Sequence, residues 1–409
     1  LTEAKENYFD QALRANTSGG VIFEDNAIEV PADDDDWLEG DEALVDASAA
    51  APALDLNEAE EAWDLDESAM APAEEELGQH MAPLTDVASL EGLAPGSAED
   101  EHWLRNSPVA ADLAAAGAFD MALQLLQRQA GIVHFAPLQP WLWRAYVAAR
   151  AVVPGAPGAP PLLVHLRRNN EASEGDLGKV LPASALSLAH LESHVLPDAY
   201  RAVSANKLPE AESLFRSLLH QLVLTPAADE AEAARLAELM AECREYLIGV
   251  SIERERRELA ASEAPPVARI LELAALFTHV QMQPQHQMLA LRIAMMEARR
   301  VGNLAMAGHF ARRLADLQPP AKVLQVAQQI IALSDRQPRD AVPVPAYSVH
   351  EPIYVVCAGS HTLLPAGGAN AIEDPLTGAK YLPEFRGSVC RVSEISEVGR
   401  PATGLRSLA

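Results

Sequence analysis

Apolar residues recur three or four positions apart through the middle of this chain. Leu236, Leu239, Cys243, Tyr246 and Val250 form one such stripe; Ile270, Leu273, Ala274 and Phe277 form a second, and Phe310, Leu314 and Leu317 a third. That period places each set on one face of an α-helix, the face a helix must bury. Pro265-Pro266, Pro284 and Pro319-Pro320 break the pattern where a missing N–H and a fixed φ end a helix. Between Val152 and about Pro182, the run Val-Pro-Gly-Ala-Pro-Gly-Ala-Pro-Pro and the polar stretch after it predict a long connection or a sub-block boundary.

Three segments share a finer pattern, beginning at Gly117, Asn206 and Gly302. Each has an apolar residue two positions on (Phe119, Leu208, Leu304), alanine at five (Ala122, Ala211, Ala307) and a large apolar residue at eight (Leu125, Leu214, Phe310). Glycine and asparagine tolerate the left-handed conformation that ends a helix, and the alanine lets a second helix approach closely. The pattern predicts the turn of a tetratricopeptide-like helical hairpin, and the irregular spacing of copies predicts an irregular α-solenoid.

After about Ala341 the texture changes. Val342–Pro345, Ile353–Cys357, a turn at Gly367-Gly368, Pro375–Gly378 and Ser388–Val392 predict short strands joined by turns. The expected fold is therefore mainly α, with helical hairpins over 103–341 and a small β-rich region over 342–409 packed on them.

Charge adds a third segment. Leu1 to Ser107 holds 29 Asp/Glu against three Lys/Arg, whereas the remainder holds 30 acids and 28 bases, so the net charge of -28 belongs to the first quarter. Such a run repels itself and has too few large apolar groups to offset the entropy of ordering, which predicts a disordered acidic linker over residues 1–102. Two tryptophans sit among its carboxylates, Trp37 after four aspartates and Trp63 after Glu60-Glu61. Two readings stand open: linear motifs that seat an indole in a basic-rimmed groove, with Trp37 and Trp63 as partner-binding residues, or a plain spacer.

Composition excludes several classes. Three cysteines cannot form a disulfide framework and fit a reducing compartment. No run approaches the ~20 apolar residues that span a bilayer. The first 20 residues carry no secretory pattern, and Leu1 in place of Met reads as a fragment or processed chain. With no basic stripe and an acidic end, nucleic acid is not an expected partner.

Catalytic signatures are missing: there is no phosphate-binding glycine loop, dinucleotide fingerprint or nucleophile elbow. His190 and His194 have the spacing of zinc ligands but lack the H-E-x-x-H context, and His279 and His286 flank Pro284 in an expected loop. Cys357, His361 and Cys390 could supply three ligands, yet no C-x-x-C pair preorganises them, so core packing is expected. Arg254-Glu-Arg-Arg257 is expected to form a solvated helix face. The expectation is a protein that is not an enzyme and needs no cofactor or metal, and its class rivals are a hydrolase or metal enzyme of scattered residues and a generic tetratricopeptide-like scaffold with an unrelated partner.

Two stretches carry a resemblance. One is Cys243–Arg257 with Ala274–His279 and Phe310–Leu314; the other is Asp374-Pro-Leu-Thr-Gly-Ala-Lys-Tyr-Leu-Pro-Glu-Phe-Arg-Gly-Ser-Val-Cys-Arg-Val392. In this order they resemble the C-terminal region of the coatomer alpha subunit family, from about Trp103 to the end. The resemblance implies a non-catalytic structural part of the COPI vesicle coat that docks the epsilon subunit, a tetratricopeptide-repeat protein, among other coatomer subunits. It implies a cytoplasmic protein, peripheral on Golgi membranes and COPI vesicles, that serves Golgi-to-ER and intra-Golgi transport and touches membrane only through the assembled coat. Cargo reading would not belong here, since the family's propellers lie upstream. Family members often carry cysteines where this chain has Asp374 and Lys380, which weakens the zinc reading.

Overall fold

Three helix–turn–helix corners organise the helical part, and all three are built the same way. The computed structural model describes residue 100 and residues 103–104, 107–155, 158, 160–168, 181–344, 347, 355–364 and 370–408. In it, α1 (Ala110–Ala115) turns into α2 (Phe119–Ala130) at Gly117, whose φ is 85°. Past a hairpin described below, α4 (Leu196–Ser204) turns into α5 (Leu208–Val223) at Asn206, φ 60°, and α8 (Pro284–Val301) turns into α9 (Leu304–Asp316) at Gly302, φ 84°. At each corner the residue after the left-handed one donates its N–H back across the helix end: Ala118 to Leu113 O (2.9 Å), Lys207 to Ala202 O (3.0 Å) and Asn303 to Ala298 O (2.8 Å). That is the six-to-one bond of a Schellman motif, which satisfies carbonyls the helix would otherwise leave open.

The alanine five positions on is fully buried in every copy, as expected for close helix approach. The gap-filling residue differs. Phe310 is buried at the eighth position, but in the other two copies Leu125 and Leu214 are half-buried and the ninth-position residues, Leu126 and Phe215, fill the core. A helical face is broad enough that either neighbour can turn inward.

Between these corners run α3 (Gln139–Ala148), the 31-residue α6 (Glu230–Ala260) and α7 (Val267–Phe277), and α10 (Ala321–Arg336) follows the last of them. A turn at Leu188–His190 and a π-helical turn at Leu191–Val195 lead into α4, and His190 and His194 lie on it with ring centroids 4.9 Å apart. Asp229 caps α6 by accepting from Glu232 N–H (2.7 Å), while the Glu232 carboxylate reaches back past the cap to accept from Ala228 N–H (2.6 Å). Phe215 and Tyr246 stack at 4.5 Å where α5 meets α6, and Tyr200 joins them from α4.

Among the described residues after 341 are turns, isolated bridges, a 3-10 turn at Pro383–Phe385 and one small antiparallel pair, β3 (Ile372–Glu373) with β4 (Lys380–Tyr381), closed by the expected turn at Pro375–Gly378. Ser388–Val392 forms a turn with a single bridge, Val389 to Glu397. These residues share one core with the helices, contributing Cys357, Tyr381, Cys390 and Ile395. Backbone bonds also join them to the helical part: Val133 N–H to Ile395 O (2.9 Å), Ala227 N–H to Ser407 O (2.8 Å) and Thr403 N–H to Arg128 O (3.1 Å). Everything described lies within one compact unit, Leu84–Ala409.

Two sequence expectations fail here. Arg254–Arg257 is a solvated face only in part: Arg254 is exposed, but Arg256 is buried, forks onto Glu253 with two 2.8 Å bonds and reaches Glu297 at 2.9 Å, and Arg257 also bonds Glu253. A stretch phased for solvent on one side of α6 is covered by α8 on the other. The second correction is the 152–182 connection, whose first part is an ordered hairpin, β1 (Arg150–Val153) with β2 (Leu162–His165).

Candidate partner-binding surface

The β1–β2 hairpin is rooted at its base and bare at its tip. Its register pairs Arg150 with His165, Ala151 with Val164, Val152 with Leu163 and Val153 with Leu162. β-Branched and leucine side chains favour the extended pair, and the Pro/Gly-rich run between them cannot continue either strand. At the base the Arg150 guanidinium lies 3.9 Å over the Tyr146 ring, donates to Tyr146 O (3.0 Å) and to Ala115 O, and faces Asp100 at 3.7 Å. Burial lowers its pKa from the ordinary value, while Tyr146 and Asp100 act against that shift. Its strand partner His165 meets the fully buried Trp103 edge-on at 5.4 Å.

Beyond that base, Val152, Val153 and Leu162 are 51%, 46% and 56% exposed, which buried strands never show. Trp143 and Met121 are also about half exposed; Trp143 stacks on Tyr146 at 5.4 Å, and Phe119 lies against the same ring at 5.6 Å. Six of the nine exposed large apolar residues among those described fall between Met121 and Leu166, so the apolar exposure is concentrated rather than scattered. No acidic residue lies between Arg150 and Leu166. A concentrated apolar face on an anchored hairpin suits burial against another protein, with Trp143 as the anchor type that dominates such interfaces.

The residues singled out for chemistry do not assemble into a site. Trp37 and Trp63 lie outside the described residues. Cys357 accepts from Leu382 N–H (3.3 Å), Cys390 contacts Tyr381 Oη (3.2 Å), and His361 turns instead to Ser251 (2.8 Å) and Glu255. Among the described residues no group of three His, Cys, Asp or Glu could hold a metal ion. Burial pushes the Cys243 and Cys390 thiols up, away from nucleophilic character.

His286 lies in the first turn of α8, buried, where a loop was expected. Its Nδ1 is 2.8 Å from Tyr246 Oη and its Nε2 2.9 Å from Ser204 Oγ, the outline of a nucleophile and base. The hydrogen bonds argue otherwise. Tyr246 Oη accepts Gln283 N–H at 2.9 Å and gives its own proton to Nδ1, leaving the imidazole proton on Nε2, pointed at Ser204. A ring protonated at that nitrogen cannot take the serine's proton. Burial also holds His286 at about 4, far below a base poised for neutral pH.

That depression has a stability consequence. In the unfolded chain histidine titrates near 6.5, so between about 6.5 and 4 the unfolded state binds a proton that folded His286 refuses. The stabilisation is complete above this window and is lost as pH falls through it. The melting temperature is expected to drop from about pH 6.5 to 4, and His286→Gln is expected to flatten that slope; an unchanged slope in the variant would exclude His286 as a cause.

Comparison with known proteins now bears on the surface. Residues 6–409 match the family described as the C-terminus of the coatomer (COPI) alpha subunit. The chain belongs to this family. Its relatives carry the same name: a putative coatomer subunit alpha of Schizosaccharomyces pombe is 34% identical over 357 residues, 86% of this chain and 29% of that protein. The coatomer subunit alpha of Dictyostelium discoideum is 32% identical over 76% of this chain and 25% of its own length, and that of Saccharomyces cerevisiae 29% identical over 99% and 32%. This coatomer alpha C-terminal chain thus spans a third or less of the length of these relatives. The family description names the COPI coat. Sequence reasoning missed the β1–β2 hairpin, although Ala-Val-Val and Leu-Leu-Val around a Pro/Gly turn were its signal.

Proposed function

We propose that this chain is a non-catalytic assembly module of the COPI coat that docks the epsilon subunit through the β1–β2 hairpin and the Trp143 face. The family match across residues 6–409 carries the reading, and the concentrated apolar exposure supports the location. It acts on the cytoplasmic face of Golgi membranes and COPI vesicles, in Golgi-to-ER and intra-Golgi transport. The alternative of a generic tetratricopeptide-like scaffold with an unrelated partner lacks the family support. In the same reading residues 1–102 are a linker, 103–341 the helical hairpins and 342–409 the region packed on them, while Trp37 and Trp63 serve as linear motifs elsewhere in the coat or on a coat regulator.

The test is binding of purified epsilon coatomer. The wild-type chain is expected to bind stably and to keep binding as salt rises, because an apolar contact is not screened. Val152→Asp with Leu162→Asp is expected to weaken binding by about 30-fold, ~2 kcal/mol, without lowering the melting temperature, since both side chains are exposed. Removing residues 1–102 is expected to leave affinity unchanged. No binding by the wild-type chain would refute epsilon docking; full affinity in the double variant would move the docking surface elsewhere.

A further inference from the structure

We infer that His190 and His194, on the turn that leads into α4, together chelate one divalent transition ion of the zinc class. The pair uses no residue of the hairpin face, and the inference does not depend on epsilon docking. Pro197 gives this turn its shape. A proline has no N–H for the carbonyl four residues back, here that of Ser193, and its ring presses on that carbonyl. The chain widens in response: Leu191–Val195 is π-helical, and Leu196 N–H bonds Leu191 O, five residues back. With more residues per turn than an α-helix, a π-turn sets side chains four apart almost directly above one another. His190 and His194 are the pair that spans it. Their ring centroids lie 4.9 Å apart with the planes 45° from parallel, and both residues are exposed.

That separation is the one a shared ion requires. Two imidazoles on a tetrahedral zinc, each ~2.1 Å from nitrogen to metal, hold their ring centres about 5 Å apart. Imidazole nitrogen suits zinc, copper and nickel, whereas magnesium and calcium prefer oxygen. Neither imidazole makes a hydrogen bond among the described residues, so both rings are available. The neighbouring carboxylates are committed elsewhere: Glu192 meets Arg235 at 2.6 Å, and Asp198, four residues past His194, pairs with Arg201. No third His, Cys, Asp or Glu among the described residues completes the set. The ion therefore keeps open positions for water and binds reversibly, unlike a four-ligand structural metal. The H-E-x-x-H context that this pair lacks is a requirement of catalysis, and chelation needs only the two rings. The structural alternative is plain stacking of two surface imidazoles, which predicts no affinity for zinc above that of the chain's carboxylates.

Calorimetric titration of the full chain with zinc chloride tests this, in a buffer with excess magnesium so that carboxylates are already occupied. One site is expected at a Kd of about 10–100 µM, the strength that two ligands in place of four allow. His190→Gln and His194→Gln are each expected to weaken that site by about tenfold or more, because a chelate needs both rings. Both side chains are exposed, so the variants are expected to melt at the wild-type temperature without zinc. Added zinc is expected to raise the melting temperature of the wild-type chain and of neither variant, since the ion binds the folded turn. Absence of zinc binding by the wild-type chain, or wild-type affinity in either variant, would overturn the inference.

Discussion

Glu253→Gln is expected to destabilise the protein by about 3 kcal/mol, read as a lowered urea midpoint at unchanged slope. The carboxylate is buried in the middle of α6 and takes three bonds of 2.8 Å, two from Arg256 and one from Arg257. Burial opposes the charge on Arg256, yet Glu253 and Glu297 outweigh it and hold that guanidinium above its ordinary pKa. Removing the charge on Glu253 while keeping its shape leaves Arg256 buried with Glu297 as its one carboxylate, and the cost of an under-compensated buried charge exceeds the worth of a surface pair. Arg254 provides the internal control. It is 47% exposed beside Glu212 and Glu258, so Arg254→Gln is expected to change stability by less than ~1 kcal/mol. A Glu253→Gln protein as stable as the Arg254→Gln protein would show that the buried network contributes no more than the exposed pair. The network also reaches the second helical corner, because Arg257 donates to the Asn206 side chain.

What the sequence made legible was the part governed by local rules. Helix faces follow from a 3.6-residue period, and the corners at Gly117, Asn206 and Gly302 from residues that tolerate positive φ, so both were readable. The role of Arg256 was not, because a helix phase shows that Glu253, Arg256 and Arg257 share a side but not what covers it. His286 was misplaced for a similar reason: Pro284 opens α8 at its first position, a role proline plays as readily as it breaks a helix. The hairpin face was hidden more deeply. Val152, Val153 and Leu162 look like core residues, and their exposure depends on Arg150 and Trp103 anchoring the strands so that their far ends stand clear of the core. The helical body was therefore largely readable, whereas the candidate surface came from tertiary placement.

Gly308→Leu is expected to be at least as damaging as the loss of Glu253, and the smaller Gly308→Ala to be destabilising although alanine favours helices. Gly308 sits inside α9 where α10 crosses, and a Cβ there would lie 2.2 Å from Ser334 Oγ and 2.4 Å from its Cβ. Ser334 is itself buried on α10, so it cannot swing into solvent to make room. Alanine should gain about 1 kcal/mol in helix propensity at this position. Against that stands overpacking between two helices, ~1–3 kcal/mol for one added carbon and more for four, because the helices must separate to relieve it. The neighbouring Ala307 and Ala311 are fully buried on the same helix, so separation would open voids beside them as well. Thermal melting of the two variants together with Ser334→Gly decides the matter. If close approach is the cause, Gly308→Ala in the Ser334→Gly background should recover most of its loss, a coupling a mere propensity effect cannot produce. A Gly308→Ala protein that melts above wild type would show that α9 and α10 have room to yield, and that the glycine is not the contact that sets their distance.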